Sequence, residues 1–320
     1  MTRWTVADIP DLTGRRSVVT GANSGLGYHT ALELARRGSD VTVAVRDRSR
    51  GDRAVAAMRD ELAGTPAAGR TEVDILDLAD LASVEAFAGR SAAQGPLHLL
   101  VNNAGVMAIP RGRTADGFEM QLGTNHLGHM ALTLHLLNAL RSAGTDAARA
   151  RVVTLASNVH KRGSIHLDDL MGERRYSPWG AYAQSKLANL LFTLELERRL
   201  DAAGLPVAAY AAHPGYAATN LTAAGPTQRG SMLQLRLVKV MDRVLGQSAA
   251  MGALPTLRAA TDASLPPGSY LGPDGLLEQR GHPVVVVPSD DARDASMARA
   301  LWDRSEELVG VRWDDVVTAG

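Results

Sequence analysis

The chain contains no cysteine. That removes disulfides, thiolate zinc sites and thiol nucleophiles, and it fits a reducing compartment such as the cytoplasm. An excess of one charge is also missing: 34 Lys+Arg balance 34 Asp+Glu, for a formal net charge of zero. A polyanion-binding surface is not expected, so nucleic acid is a poor candidate partner. No stretch approaches the roughly 18 uninterrupted apolar residues of a membrane-spanning helix. The start, Met1 to Asp11, has no apolar run of the kind a secretory signal carries. No internal repeat or long low-complexity tract is visible. Lysine is scarce: only Lys161, Lys186 and Lys239 interrupt a chain that otherwise writes its positive charge as arginine. A compact ammonium and a planar guanidinium do different chemistry, so the position of each lysine matters.

What is present is an alternation of strand-like and helix-like segments. Arg16–Thr20, Asp40–Val45, Glu72–Leu76, Leu97–Val101, Arg151–Leu155 and Val207–Ala212 read as short buried strands. Tyr28–Arg37, Phe118–Leu140 and Trp179–Leu200 carry helical periodicity, and Ala63–Gly69 and Ser142–Ala150 read as loops. With 320 residues, 45% of them hydrophobic, the chain can bury a sizeable core. The pattern predicts one α/β domain over residues 1–320: a doubly wound, mostly parallel sheet with helices on both faces. Ligands in such sheets sit beyond the strand C-termini, where the strand order switches.

Tyr182-Ala183-Gln184-Ser185-Lys186 lies on one predicted helix, so Tyr182 and Lys186 share a face. A phenol holds its proton to about pH 10. A nearby ammonium favours the phenolate and lowers that value. A tyrosine so tuned can pass a proton to or from a substrate oxygen. The plain alternative is a surface tyrosine beside a solvated lysine.

Gly21-Ala22-Asn23-Ser24-Gly25-Leu26-Gly27 falls between a strand and a helix. Glycines there let the backbone approach a pyrophosphate, and the helix start offers free N–H groups and partial positive charge. The spacing is Gly-x-x-x-Gly-x-Gly, and Thr20 through Gly27 resembles the Thr-Gly-x-x-x-Gly-x-Gly motif of the short-chain dehydrogenase/reductase family. The resemblance implies a single-domain Rossmann fold that binds a nicotinamide dinucleotide through Gly21, Asn23, Ser24, Gly25, Leu26 and Gly27. At the end of the second strand, a carboxylate would bond the ribose 2′-hydroxyl of NAD. Val45 stands there, followed by Arg46, which can meet a 2′-phosphate, with Arg50 one turn further on. NADP(H) is therefore favoured; Asp47 keeps NAD(H) open.

The same resemblance covers roughly Leu12 to Thr219. Asp77-Leu78 is similar to the pair that contacts adenine, although Asp77 or Asp80 would also cap a helix. Asn102-Asn103-Ala104-Gly105 is among the family's most specific motifs and places Asn103, Ala104 and Gly105 against the cofactor. Val106-Met107 continues its retinol-dehydrogenase-like version. The resemblance implies a catalytic set of Asn125, Ser157, Tyr182 and Lys186. Asn125 would keep its helix irregular and hold a water on the proton path, and Lys186 would also hold the nicotinamide ribose. Pro214-Gly215 and Thr219 would lie at the nicotinamide end. His126 and His129 stand three apart without a third ligand, so no metal is expected.

The stretch from Ser157 to Tyr182 is long for the family and resembles the retinol-dehydrogenase-like and protochlorophyllide-reductase-like branch. An insert near 158–180 would wall the substrate pocket, with Asp168-Asp169 as a helix cap. Gly230–Leu245 reads as an amphipathic helix open to three roles: core packing, a mobile lid over the substrate, or a peripheral membrane face. In the lid and C-terminal region near 221–320, the tail from Gly268 to Gly320 holds the apolar run Val284–Val287 and a helix near Asp291–Leu308, and shows no chemistry. Met107, Ile109, Val159, Trp179, Tyr216, Met232 and Leu233 would line the pocket without a charged anchor, which points to a lipophilic small molecule. The expected reaction interconverts a carbonyl and an alcohol. A non-catalytic NADP-binding protein and a C=C reductase are the alternatives, and a homo-oligomer is within the family's range.

Overall fold

The computed structural model describes residues 3–216 and 247–318. Eight strands form one sheet in the order β3-β2-β1-β4-β5-β6-β7-β8. They are β1 (Arg16–Thr20), β2 (Asp40–Val45), β3 (Thr71–Ile75), β4 (Leu99–Asn102), β5 (Ala150–Leu155), β6 (Val207–Ala212), β7 (Tyr270–Pro273) and β8 (Pro283–Val285). Every pairing is parallel except β7 with β8. The order reverses between β1 and β4, so the crevice a doubly wound sheet offers to ligands opens there.

The strands read as near-continuous apolar runs because both faces are covered. Neighbouring residues point to opposite sides. Val18, Leu100 and Val152 pack with Phe87, Leu134 and Leu191 on one face. Val19, Val101 and Val153 pack with Leu32, Met58 and Leu257 on the other. The first face is built by α3 (Leu81–Ala93), α5 (Gly128–Ala143) and α6 (Pro178–Ala202), the second by α1 (Gly25–Arg36), α2 (Arg48–Leu62) and the helix Ala249–Thr261.

Local chemistry sets the boundaries. Ser177 caps α6 through Gly180 N, with Pro178 in the first turn. Asp80 caps α3, while Asp77 closes its own turn by accepting from Ala79 N at 2.9 Å. Phe118–Leu140 is not one helix. Glu119 caps the single turn α4 (Met120–Leu122), a π-turn follows over Gly123–Leu127, and only then does α5 begin. Asp168 and Asp169 do not cap a helix either. Asp169 accepts from Glu173 N at 2.7 Å inside a loop, and Asp168 pairs with Arg174 at 2.8 Å. The apolar run Val284–Val287 sits at the sheet edge, with Val285 and Val287 exposed rather than in the core. The amphipathic stretch Gly230–Leu245 lies outside the described residues. Among the described residues no helix is long and apolar enough to cross a membrane.

The C-terminal helix Ala295–Val309 is fixed to α6 by aromatic packing. Trp302 stacks on Phe192 at a centroid distance of 5.7 Å, meets Trp313 edge-on at 5.9 Å and donates its indole N–H to Glu306 at 2.8 Å. The Arg199 guanidinium lies 4.5 Å from the Trp302 ring centroid. Trp302→Ala is expected to lower the unfolding free energy by about 3 kcal/mol or more, read by urea denaturation. A loss below about 1 kcal/mol would show that this contact does not hold the tail to α6.

Candidate active site

The loops that leave β1, β4, β5 and β6 all emerge on one side of the sheet, because these strands run parallel and in register. Four sequence motifs therefore converge: the glycine loop, Asn103–Gly105, Ser157 and Pro214-Gly215.

The glycine loop and the β4 loop touch closely. Gly21 has φ +66°, and a Cβ there would lie 2.9 Å from Ala104 Cα. A Cβ on Gly27 would come within 2.4 Å of Asn103 Nδ2 and 2.7 Å of Gly21 O. Both glycines are required by packing between the loops, a role their spacing alone does not reveal. Thr20 ties the same contact: its Oγ1 accepts from Asn103 N and Ala104 N, both at 2.9 Å, and its carbonyl accepts from Asn103 Nδ2 at 2.6 Å. Asn23, Ser24, Gly25 and Leu26 stay partly exposed above this seat. Ser24 caps α1 by position only, with no side-chain hydrogen bond. The first-turn N–H groups of α1 thus keep their capacity to bind an anion. A glycine-floored cradle at a helix start fits a dinucleotide phosphate.

Arg46 and Arg50 are exposed at the end of β2. The Asp47 carboxylate between them caps α2, accepting from Arg50 N at 3.0 Å and Ser49 Oγ at 2.8 Å. Those hydrogen bonds hold it below the usual carboxylate range. Asp77 is half-buried and Leu78 buried beyond β3.

Tyr182 and Lys186 lie on the buried face of α6, each 5% exposed, which excludes a surface pair. The Lys186 ammonium is 5.8 Å from the Tyr182 ring centroid and donates to Leu155 O at 2.9 Å. Asn189 Nδ2 donates to the same carbonyl at 2.9 Å. Ser157, just past β5, lies near the Tyr182 phenol, and its Oγ accepts from Val159 N at 3.3 Å. Asn125 is fully buried in the π-turn. Its Oδ1 accepts from Val106 N at 2.8 Å, and its Nδ2 donates to Val106 O at 3.0 Å and Ser185 Oγ at 2.9 Å. Ser185 in turn donates to Tyr182 O at 2.8 Å. A Cβ on Gly105 would lie 3.0 Å from Asn125 Oδ1 and 3.8 Å from Lys186 Nζ, so the β4 loop closes onto both.

Electrostatics here are ruled by burial. It pushes the Tyr182 phenol up to about 12, against the opposing influence of the nearby Ser157 hydroxyl, and pushes the Lys186 ammonium down to about 8. The expected lowering of the phenol by the lysine does not emerge: burial raises the phenol, and the opposing influence is Ser157, with none from Lys186.

At the β6 end, Gly215 has φ +65°, and a Cβ there would meet Gln279 O at 2.4 Å. Pro214 O accepts from Gln247 Nε2 at 2.7 Å. Thr219 lies outside the described residues, as do Met232 and Leu233. Of the expected lining, Met107, Ile109, Val159 and Tyr216 are partly buried. Trp179 is 51% exposed and meets the Tyr182 ring edge-on at 6.1 Å. The segment 158–180 is tied across to the β4 loop: Glu173 pairs with Arg111 and Arg113 at 2.6 Å each, and Tyr176 donates to Ile109 O at 2.9 Å.

Sequence reading missed one charged cluster. Glu278 lies 3.0 Å from His213 Nε2 and 3.1 Å from Lys161 Nζ, joining the tail to the loops after β5 and β6. The His213 imidazole beside it and then the Lys161 ammonium hold it down to about 2. The scarcity of lysine was a signal at Lys161; nothing local marked Glu278, 117 residues away. His126 Nε2 faces Ser305 Oγ at 3.0 Å, while the His129 nitrogens face Asn125 O and Thr20 Oγ1. Among the described residues no group of three His, Cys, Asp or Glu could hold a metal.

A sequence model described as short chain dehydrogenase matches residues 15–230. The chain belongs to this family. It is 43% identical to polyprenol dehydrogenase of Mus musculus over 314 residues, covering 96% of this chain and 87% of that protein. It is 41% identical to retinol dehydrogenase 12 of Homo sapiens over 306 residues, covering 95% and 89%. A crystal structure of an uncharacterized protein from Mycobacterium Paratuberculosis matches with a TM-score of 0.77 and 45% identity, covering 98% of this chain and 99% of that one. A proposed NAD(P) dependent gluconate 5-dehydrogenase from Beutenbergia cavernae, with bound NADP, matches at 28% identity and a TM-score of 0.59, covering 79% and 92%. This short-chain dehydrogenase is thus an NAD(P)-dependent oxidoreductase of the retinol dehydrogenase branch, acting on CH–OH groups. Gly27→Ala is expected to weaken NADPH binding about tenfold or more, since the new methyl would part the two loops, as read by fluorescence titration. Unchanged affinity would show that the seat does not depend on this contact.

Proposed function

We propose that this enzyme reduces and oxidises a carbonyl–alcohol pair on a lipophilic small molecule, with NADP(H) as the preferred cofactor. One observation carries the reading: a buried tyrosine, with the Ser157 side chain near its hydroxyl, shares a helix face with a buried lysine. When bound, the nicotinamide ring supplies or accepts the hydride. Tyr182 gives its proton to the substrate oxygen in reduction and takes it back in oxidation. Ser157 donates a hydrogen bond to that oxygen and stabilises charge developing on it. Lys186 keeps positive charge beneath the phenol and reaches the nicotinamide ribose. Asn125 fixes the β4 loop to the tyrosine helix and would hold the relay water there.

Burial favours the protonated phenol, which suits a general acid. In oxidation, the same group needs help to lose its proton, and the ammonium of Lys186 is the nearest source. Arg46 and Arg50 support the preference for a 2′-phosphate, because both guanidinium groups are exposed beyond β2, while Asp47 caps α2 through Oδ1 and lies 3.7 Å from Arg50 Nε through Oδ2. Gly21, Asn23 to Gly27 and Asn103 to Gly105 would cradle the dinucleotide, Asp77 and Leu78 its adenine, and Pro214-Gly215 and Thr219 its nicotinamide end. The names of the relatives, retinol and polyprenol dehydrogenases, support a long apolar substrate, as does the partly buried lining of Met107, Ile109 and Val159.

Tyr182→Phe is expected to abolish NADPH-dependent reduction across an aldehyde and ketone panel while leaving the NADPH dissociation constant within about threefold. Retained turnover would remove Tyr182 from the reaction. Arg46→Ala is expected to weaken NADPH about tenfold, the scale of a lost charge-assisted hydrogen bond, and to leave NADH unchanged. Equal effects on both cofactors would exclude 2′-phosphate recognition by Arg46.

A further inference from the structure

His129 is buried, 1% exposed, and touches both halves of the site. Its Nδ1 lies 3.0 Å from Asn125 O, and its Nε2 lies 2.9 Å from Thr20 Oγ1. A carbonyl only accepts, so Nδ1 must carry the proton. In a neutral ring, Nε2 is then an acceptor. The Thr20 hydroxyl completes the assignment independently. Both its lone pairs are taken by Asn103 N and Ala104 N, which leaves only its proton to offer. That proton faces Nε2 at 2.9 Å and Val101 O at 3.3 Å, and the shorter, side-chain partner wins. A protonated imidazole would confront a hydroxyl with no acceptor site left. Burial reinforces this, pushing His129 down to about 4, with the Lys186 charge acting in the same direction.

Further bonds extend the chain. Thr133 Oγ1 donates to His129 O at 2.7 Å and accepts from Asn102 Nδ2 at 3.0 Å. All three residues Asn102, Asn103 and Ala104 are thereby referenced to the His129 turn of α5. On the other side, Asn125 leads through Ser185 to the backbone of Tyr182.

We propose that His129 is a positioning residue that, as the neutral Nδ1–H tautomer, clamps the Asn125 π-turn to the Thr20 hydroxyl and so couples the dinucleotide seat to the proton-transfer centre. The proposal rests on the reading of Tyr182 and Asn125 as that centre. The two nitrogens do separable work. Nε2 turns the Thr20 hydroxyl so that its lone pairs meet the Asn103 and Ala104 N–H groups, which shapes the seat. Nδ1–H holds the Asn125 carbonyl, which shapes the proton path.

The test uses a pair of amide variants. His129→Asn places its amide where Nδ1 stands, keeping the donor to Asn125 and losing the acceptor for Thr20. His129→Gln reaches the Nε2 position, keeping that acceptor and losing the donor. The Asn variant is expected to raise the NADPH dissociation constant about tenfold with kcat within about threefold of wild type, and the Gln variant to do the reverse, each being the loss of one buried hydrogen bond. Equal changes in both constants for the two variants, or no change in either, would overturn the proposal. The wild-type chain labelled with 15N-histidine supplies a readout that does not depend on turnover or on the variants folding. Two histidines should hold the Nδ1–H tautomer from about pH 5.5 to 8.5: His129, and His160, whose Nδ1 faces Ser157 O and whose Nε2 accepts from Ser289 N; NMR cross-peaks from the ring to Thr20 identify His129. An Nε2–H tautomer, or an imidazolium, at His129 would overturn the clamp even if the enzyme reduces carbonyls. A correct tautomer with no carbonyl turnover by wild type would instead sink the functional reading and leave the clamp standing.

Discussion

The site depends on the burial of a phenol and an ammonium together beneath the end of β5. Burial disfavours the charged form of each. A lysine taken from water loses several kcal/mol of solvation unless polar partners replace it, and here a backbone carbonyl, Leu155 O, is the partner within hydrogen-bond reach. Leu155 is the last residue of β5, so its carbonyl is fixed by the sheet. The ammonium is therefore aimed by the sheet, and Tyr182 by the helix that both residues share. Ser157, two residues further along, is placed by the same strand end.

Around that pair the protein uses hydrogen bonds between loops in preference to ion pairs. Asn125 links Val106 to Ser185, Thr20 links β1 to Asn103 and Ala104, and Leu155 O collects Lys186 and Asn189. Buried networks of this kind are stiff when every member is satisfied. Stiffness is useful where donor and acceptor must meet within a fraction of an ångström. Ion pairs lie nearer the surface: Glu278 with Lys161 at one edge, Glu173 with Arg111 and Arg113 at the other.

Much of this was legible in the sequence. Strands buried on both faces leave apolar runs that six segments displayed, and Gly-x-x-x-Gly-x-Gly, Asn-Asn-Ala-Gly and Tyr-x-x-x-Lys each mark a strand end or helix face. The π-turn at Gly123–Leu127 kept the helical periodicity of Phe118–Leu140 and so hid the break at Glu119. Asp168 and Asp169 looked like a cap, but Ser177 with Pro178 had already claimed the start of α6. The glycines announced close approach of the backbone to a pyrophosphate; that Gly21 and Gly27 are also held to glycine by contact with Ala104 and Asn103, some 80 residues away in sequence, was not legible. Glu278 and the pairing of His129 with Thr20 depend on tertiary approach and leave no local signature. The direction of the tyrosine shift also escaped sequence, because a spacing reveals proximity to a charge and says nothing of how deeply both are buried.

The scarcity of lysine makes the central claim directly measurable. With three lysines in the chain, labelled lysine side chains can be titrated by NMR in the intact protein and assigned with Lys186→Arg. Burial beneath β5 predicts one resonance with a midpoint near pH 8 that vanishes in that variant. If every lysine titrates in the ordinary range of about pH 10, Lys186 is solvated, and the buried phenol–ammonium pair on which this account stands does not exist.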